Sequence, residues 1–283
     1  MQQTASHNRQ KKLAVINDFC GFGRCSIAVA LPIISAMHIQ CCPLPTAIFS
    51  DHTGFESFFC EDFTEHMPAY AGEWEKLGLH FDGIATGFLG SARQIDIVKD
   101  FLARFKGEHT KVLVDPVMGD YGKLYPTYTP ELAGRMHELL RFADLLTPNL
   151  TEACILTNTP YREDFTEQEL TVLCESLSEA GPQEIVISGI HLGDDLGNFV
   201  YSQGETAMLC AHRVGGYRSG TGDVFGAILA ADLVNGEPLE ASVRKAADFI
   251  TKTILYTQKL GVPDTDGICF EEYLWELGQT TKE

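Results

Sequence analysis

Short apolar runs recur along this chain between longer stretches of helical periodicity, and that alternation limits its fold more than any other feature. Runs at 13–16, 45–49, 83–86, 111–114, 145–147 and 184–188 each read as a buried strand. Between them lie helix patterns. One follows 21–26 and runs to about Met37, with Pro32 predicted to kink it or mark its first turn. Others cover 68–77 and 94–105, the latter with Ile95, Val98, Phe101, Leu102 and Phe105 on one face. Thr129-Pro130 reads as a helix start. Asn149 to Glu152 and Thr166 to Glu169 have capping-box spacing, the second opening a helix to about Ala180. Strands alternating with helices predict an α/β chain whose sheet is mostly parallel and covered on both faces. Only 198–201 and 207–212 break the pattern, as a hairpin turning at Gln203-Gly204-Glu205. A long helix over 239–260 and a short one close the chain.

Within this frame, Ser219-Gly220-Thr221-Gly222-Asp223 stands out. Phe225, Ile228, Leu229 and Leu233 follow at helical spacing, so a helix begins near Gly222. The free N–H groups of a helix start, its dipole and two glycines together form an anion site that a phosphate can approach closely. A carboxylate there repels phosphate unless it faces the other reactant, as a group taking a proton from an attacking hydroxyl would. The dipole predicts a lowered pKa for Asp223, and so an ionised carboxylate at neutral pH. Asp223 as a plain helix-start residue is the competing reading.

Charge and cysteine usage narrow the partners. Net charge is 21 − 39 = −18, which disfavours duplex nucleic acid and anionic membranes. No run reaches the roughly 18 apolar residues of a membrane span. Residues 1–12 are polar with no apolar signal region and read as a disordered tail. The nine cysteines form no C-x-x-C pair, so a zinc site is not expected, and reduced thiols fit a cytoplasmic protein.

Ligands of a parallel sheet lie beyond the carboxyl ends of its strands. Those ends carry Asn17, then Asp51, His52 and Thr53, then Phe88, then Asp115 and Asp120, then Thr147, Asn149 and Glu152, and finally Ser188. Each alone could be a turn or cap residue. Together they belong on one rim, beside an anion nest and an aspartate.

Three segments carry a resemblance: Gly220-Thr221-Gly222-Asp223, Asp115-Pro116-Val117-Met118-Gly119-Asp120, and Thr147-Pro148-Asn149-Leu150-Thr151-Glu152-Ala153. They resemble the signature segments of the ribokinase-like superfamily, in its vitamin B6 branch. Ser50-Asp51-His52-Thr53-Gly54-Phe55 is similar to the substrate loop of pyridoxal kinases. The resemblance implies one ribokinase-like kinase domain over 13–283, a three-layer fold, and ATP-dependent phosphorylation of the 5′-hydroxymethyl group of a B6 vitamer. It implies Asp223 as base and the amides of Gly220, Thr221 and Gly222 as the phosphoryl cradle. Asp115, Asp120 and Glu152 would govern the Mg²⁺–phosphate region, the last partly through water, and Thr147 matches a position tied to a monovalent cation such as K⁺. Asn149 and Ser188 would touch ATP phosphates. Thr53, with His52 beside it, would meet the pyridine ring, and Phe88 would lie against it. It also implies a homodimer.

Two departures bear on the ring. Asn17 stands where a serine is usual, and Phe88 lacks the hydroxyl of the usual tyrosine, so preference among pyridoxal, pyridoxine and pyridoxamine is open. The segment 121–125 reads as a flap over the phosphates or as a surface loop. Three other readings compete. One is a hydroxymethylpyrimidine kinase and another a non-catalytic B6-binding protein. The third, a nicotinamide-dependent oxidoreductase, rests on Gly21-Phe22-Gly23-Arg24-Cys25-Ser26 alone.

Overall fold

A computed structural model describes residues 6–279. Among these residues, eleven strands and nine helices follow one another. β1 (Lys12–Phe22), α1 (Ser26–Ala36), β2 (Gln40–Asp51), β3 (Cys60–Asp62), α2 (Met67–Lys76), β4 (Gly83–Thr86), α3 (Ala92–Phe105) and β5 (Lys111–Val114) form the first part. A small hairpin of β6 (Gly119–Asp120) and β7 (Lys123–Leu124) follows, then α4 (Pro130–Arg135), which runs into a 3-10 turn. Next come β8 (Leu145–Leu146), α5 (Leu150–Leu156), α6 (Glu167–Ser178), β9 (Glu184–Leu192), β10 (Asp195–Ser202) and β11 (Glu205–His212). Three helices, α7 (Thr221–Asn235), α8 (Leu239–Leu260) and α9 (Leu274–Leu277), finish it.

The main sheet has nine strands in the order β11-β10-β9-β8-β5-β4-β1-β2-β3. The run from β9 to β2 is parallel throughout, and antiparallel strands close both edges. Strand side chains alternate between faces, and each face has its own core. Ala14, Ile16, Ile84, Val112, Val114, Leu146 and Ile185 pack toward α2, α3, α5 and α6. Leu13, Val15, Ala85, Leu113, Leu145 and Val186 pack toward α1, α7 and α8. Helices on both sides of a mostly parallel sheet make the three layers the sequence predicts.

Several bounds differ from the periodicity reading. β1 runs six residues beyond its apolar stretch, with a register shift between Asn17 and Phe19, so Asn17 lies inside the strand rather than after it. Pairing with β2 carries the strand on after its apolar stretch ends. Pro32 sits inside α1, not in its first turn. α7 begins at Thr221 with Gly220 as its cap. The hairpin turns on Gln203 and Gly204 alone, both at positive φ, as a two-residue turn requires. Both capping boxes form, at Asn149/Glu152 and Thr166/Glu169. Part of the tail expected over 1–12 lies outside the described residues. From residue 6 on it has contacts: Asn8 donates to the Gly78 carbonyl at 2.8 Å and accepts the His80 N–H at 2.9 Å, and Lys12 already opens β1.

Candidate active site

A cleft of about 840 Å³ opens beyond the carboxyl ends of the parallel strands, and every residue singled out above at the strand ends and in the nest, except Asp51, lines it. One wall is the start of α7. Gly220 is left-handed (φ 77°), and a Cβ there would lie 1.9 Å from the Arg24 carbonyl oxygen, so only glycine fits. A Cβ on Gly222 would meet no protein atom within 4 Å, because that position faces the open cleft. The first-turn N–H groups of a helix lack intrahelical partners. Here they belong to Gly220, Thr221, Gly222 and Asp223, the first helical bond being that of the Val224 N–H to the Gly220 carbonyl.

Asp223 keeps a face on the cleft but sits deep in the protein. Burial raises its pKa to about 6, and the nearby Asp18 charge adds to the rise. The Ser26 backbone N–H and the Asn17 side chain pull the other way. The lowering expected from the helix dipole is therefore outweighed by desolvation. Asn17 explains part of the placement: its Nδ2 lies 3.4 Å from Asp223 Oδ1. Its Oδ1 accepts the N–H groups of Phe88 (2.8 Å) and Asp18 (2.9 Å). The side chain expected to contact a ring is thus turned toward the aspartate and the backbone.

A cluster of carboxylates forms the facing wall. Asp115 is raised well above the ordinary range by burial and then by the Glu152 and Asp223 charges. Burial also raises Asp120, against a bond from the Tyr121 N–H and the neighbouring His191. Glu152, 3% exposed, accepts the backbone N–H groups of Asn149 (2.8 Å) and Met118 (2.9 Å) while burial pushes it upward. Its two oxygens thus hold the backbone of 118 and 149, leaving it an indirect part in any ion site. Asn149 is likewise engaged: Nδ2 donates to the Gly119 carbonyl at 2.8 Å, and Oδ1 caps α5 through the Glu152 N–H at 3.0 Å. Ser188 pairs with Asn149 in a parallel bridge and stays partly open. No lysine or arginine pairs with Asp115, Asp120, Glu152 or Asp223 among the described residues. Carboxylates that line a cleft without a basic partner suit a divalent cation that arrives with a polyphosphate and keeps its own water. Among the described residues no three or more His, Cys, Asp or Glu side chains converge closely enough to hold a metal ion by themselves. Thr147 is buried, and its Oγ1 has no hydrogen-bond partner. An orphaned hydroxyl beside carboxylates fits a monovalent cation or a water.

The third side is aromatic. Phe88 lies edge-on to Phe49 (6.1 Å) and Tyr128 (6.0 Å) and gives an apolar floor for a flat ring. His52 is held from both ends: Nδ1 accepts the Gly54 N–H at 3.1 Å, and Nε2 donates to the Thr265 carbonyl at 2.7 Å. Thr53, next to it, is exposed. The flap segment forms the β6–β7 hairpin, turning on Tyr121 (φ 49°) and Gly122 (φ 75°). Its tip is tied to α5 by the Gly122 N–H and Thr151 Oγ1 at 2.9 Å.

Some lining residues carried no sequence signal. Asp18 is buried and accepts Ser26 Oγ–H at 2.7 Å and Cys20 S–H at 3.2 Å. Only its place next to Asn17 pointed toward the rim. Gly21-Phe22-Gly23-Arg24-Cys25-Ser26 is not a dinucleotide loop. β1 continues to Phe22, and a Cβ on Gly23 would lie 2.6 Å from the His52 ring. That glycine serves packing, and the oxidoreductase reading falls with it.

A family model described as phosphomethylpyrimidine kinase matches residues 76–266. A hydroxymethylpyrimidine/phosphomethylpyrimidine kinase of Haemophilus influenzae is 33% identical over 181 residues, 62% of this chain. A pyridoxal kinase of Arabidopsis thaliana is 29% identical over 199 residues, 66% of this chain. The chain spans 65% and 62% of the length of these two relatives. A crystal structure from Bacteroides thetaiotaomicron VPI-5482, provisionally assigned as a phosphomethylpyrimidine kinase, superposes with a TM-score of 0.95 at 35% identity, covering 99% of this chain and 98% of that one. An orthorhombic form of that protein with pyridoxal gives 0.93 at 36% identity, covering 97% and 98%.

Proposed function

We infer the activity from one premise: the chain belongs to the phosphomethylpyrimidine kinase family. On it we propose ATP-dependent phosphorylation of the 5′-hydroxymethyl group of a B6 vitamer, pyridoxal, pyridoxine or pyridoxamine, in B6 salvage. The observation that carries this is the placement of Asp223. It lies in the first turn of α7, in the same cleft that Phe88 lines. Phosphoryl transfer asks a protein mainly for positioning and charge neutralisation. The nest amides of Gly220, Thr221 and Gly222 would hold the transferring phosphoryl group. Asp223, with a pKa of about 6, is mostly ionised at neutral pH and able to accept the hydroxyl proton. As the hydroxyl oxygen bonds to the γ-phosphorus, the bond to the β–γ bridging oxygen breaks, ADP leaves, and the proton ends on Asp223.

Asp120 would hold Mg²⁺ together with nucleotide oxygens, with Asp115 close by and Glu152 acting through the backbone it orders. When bound, the ion supplies charge neutralisation for the triphosphate. Thr147 Oγ1 would take the monovalent cation, and Ser188 would lie along the ATP phosphates. Phe88 and Thr53 would receive the ring.

The choice of a B6 ring over a pyrimidine rests on the His52-Thr53-Gly54 loop and on the related protein crystallised with pyridoxal. The second reading, hydroxymethylpyrimidine phosphorylation, is favoured by the H. influenzae relative. A coupled ATPase assay over pyridoxal, pyridoxine, pyridoxamine and hydroxymethylpyrimidine decides between them. Turnover of the pyrimidine alone overturns the B6 reading, and ring binding without turnover supports a non-catalytic binder.

We also propose a homodimer in the cytoplasm. Phe58 and Phe59, just before edge strand β3, are exposed, and a second copy could cover them. All nine cysteines are free. Among the described residues no helix is long and apolar enough to cross a membrane. The charge of −18 leaves nucleic acid an unsuitable partner. Light scattering at working concentration tests the dimer.

A further inference from the structure

Residues 262–267, after the long α8, touch both sides of the cleft. On the nest side stands Arg218, 6% exposed. Its Nη1 donates to the carbonyls of Val262 (3.1 Å), Pro263 (3.3 Å) and Gly267 (3.4 Å). Its Nη2 pairs with Asp264 at 3.0 Å. The next N–H, that of Ser219, donates to the Asp264 carbonyl at 3.4 Å. A buried guanidinium needs partners for its donors; those of Arg218 Nη1 and Nη2 all lie on this one turn, while Nε has none among the described residues.

On the ring side the same turn receives His52. Nδ1 is taken by the Gly54 N–H, which leaves Nε2 to donate to the Thr265 carbonyl at 2.7 Å. Arg24 adds a third tie, Nη1 to the Asp266 carbonyl at 3.2 Å. Backbone packing is equally tight. Gly267 (φ 78°) has no room for a Cβ, which would lie 2.9 Å from Arg24 Cβ and 3.1 Å from the Ser219 carbonyl oxygen. Sequence separations of more than 200 residues are thus bridged by hydrogen bonds to consecutive carbonyls of one short turn.

We propose that Arg218 and the 262–267 turn are a positioning frame that joins the ring-side loop of His52 and Thr53 to the phosphoryl-side nest, so that ordering one orders the other. What the two sides bind rests on the function proposed above. The frame itself does not. Arg218 acts through the turn and is a positioning residue. The consequence is reciprocal coupling: a ring compound in the cleft tightens nucleotide binding, and nucleotide tightens the ring compound by the same factor.

Amide hydrogen exchange on the full chain tests the frame without any ligand. In Arg218→Gln, exchange should speed up in 262–267 and 218–223 and also, by at least about fivefold, in 50–56, which has no direct hydrogen bond to Arg218. Arg218→Lys should restore part of the protection. Asp264→Asn removes a carboxylate that is 66% exposed, so the fold is safe, and it should loosen the same segments to a smaller degree. Parental exchange at 50–56 in both Arg218→Gln and Asp264→Asn overturns the frame. If Arg218→Gln loosens the whole chain, Asp264→Asn alone decides. A second measurement is the dissociation constant of a non-hydrolysable ATP analogue with and without saturating pyridoxal or hydroxymethylpyrimidine. The ratio should be about fivefold or more in the parent and near one in Arg218→Gln. A ratio of one in the parent overturns the coupling. A parent that turns over no ring compound, yet shows the exchange pattern, overturns the substrate reading and leaves the frame standing.

Discussion

Asn17 Nδ2 reaches to 3.4 Å from Asp223 Oδ1, while Asn17 Oδ1 holds the N–H groups of Asp18 and Phe88. One side chain thus links the candidate base to the strand beneath it and to the aromatic floor. Its bond to Asp223 favours the charged carboxylate and opposes the burial that pushes the pKa up.

Removing that bond should move the pH profile. In the parent, kcat/KM should rise with pH through about 6 and level off above it, as Asp223 loses its proton. In Asn17→Ala the same rise should shift to higher pH. A profile that overlays the parent's means Asn17 does not act on the base.

Asp223→Asn keeps the size of the side chain and removes the base. We expect kcat for pyridoxal to fall by at least about a hundredfold with ATP binding retained. A kcat within a few-fold of the parent's would falsify the mechanism.

The same variant carries a stability signature. A carboxyl raised from 3.8 to about 6 binds its proton more tightly in the folded state, so ionising it costs stability. That cost is absent below the ordinary carboxylate range, grows as pH rises toward 6, and is complete above it. Asp223→Asn should therefore melt at the parental temperature or a few degrees higher at pH 8, and the difference should vanish near pH 3.5. A plain helix-start role predicts a lower melting temperature at pH 8, which thermal scans will detect.

Gly222 and Gly220 should fail differently. Gly222→Val places its side chain in the open cleft, so turnover should drop while the fold and ring affinity hold. Gly220→Ala forces a Cβ against the Arg24 carbonyl at positive φ, so stability should fall by more than about 1–2 kcal/mol. Calorimetric ring affinity beside the assay separates them; equal loss of binding and turnover in Gly222→Val counts against the placement of the nest.

Asp120, like Asp115, is a partly open carboxylate of the facing wall, whereas Glu152 is buried and tied to the backbone. Asp120→Asn should raise the Mg²⁺ concentration needed for half-maximal rate, because magnesium prefers charged oxygens. Overlapping Mg²⁺ titrations of variant and parent would remove Asp120 from the ion site.

Local signals carried much of this protein. Periodicity within four residues located the parallel strands but not the short β3, β6 and β7, and the two sheet faces follow from alternation at Leu13 to Ile16 and at Val112 to Val114. Capping boxes need only three residues' spacing, and both formed. Because parallel strands end on one edge, the candidate residues at their ends were bound to share a cleft once the strands were correct. What sequence could not determine depends on groups far apart in the chain. The pairing of β1 with β2 drew Asn17 into a strand and aimed it at Asp223, 206 positions away. Desolvation by the surrounding fold, not the local helix dipole, decided the direction of the Asp223 shift. Packing ties the side chains of Asn149 and Glu152 to backbone groups of distant segments, which their local spacing does not reveal. His52 took its place from Thr265, 213 positions on. Hydrogen bonding and burial are properties of the folded neighbourhood, and only the tertiary structure brings those neighbours together.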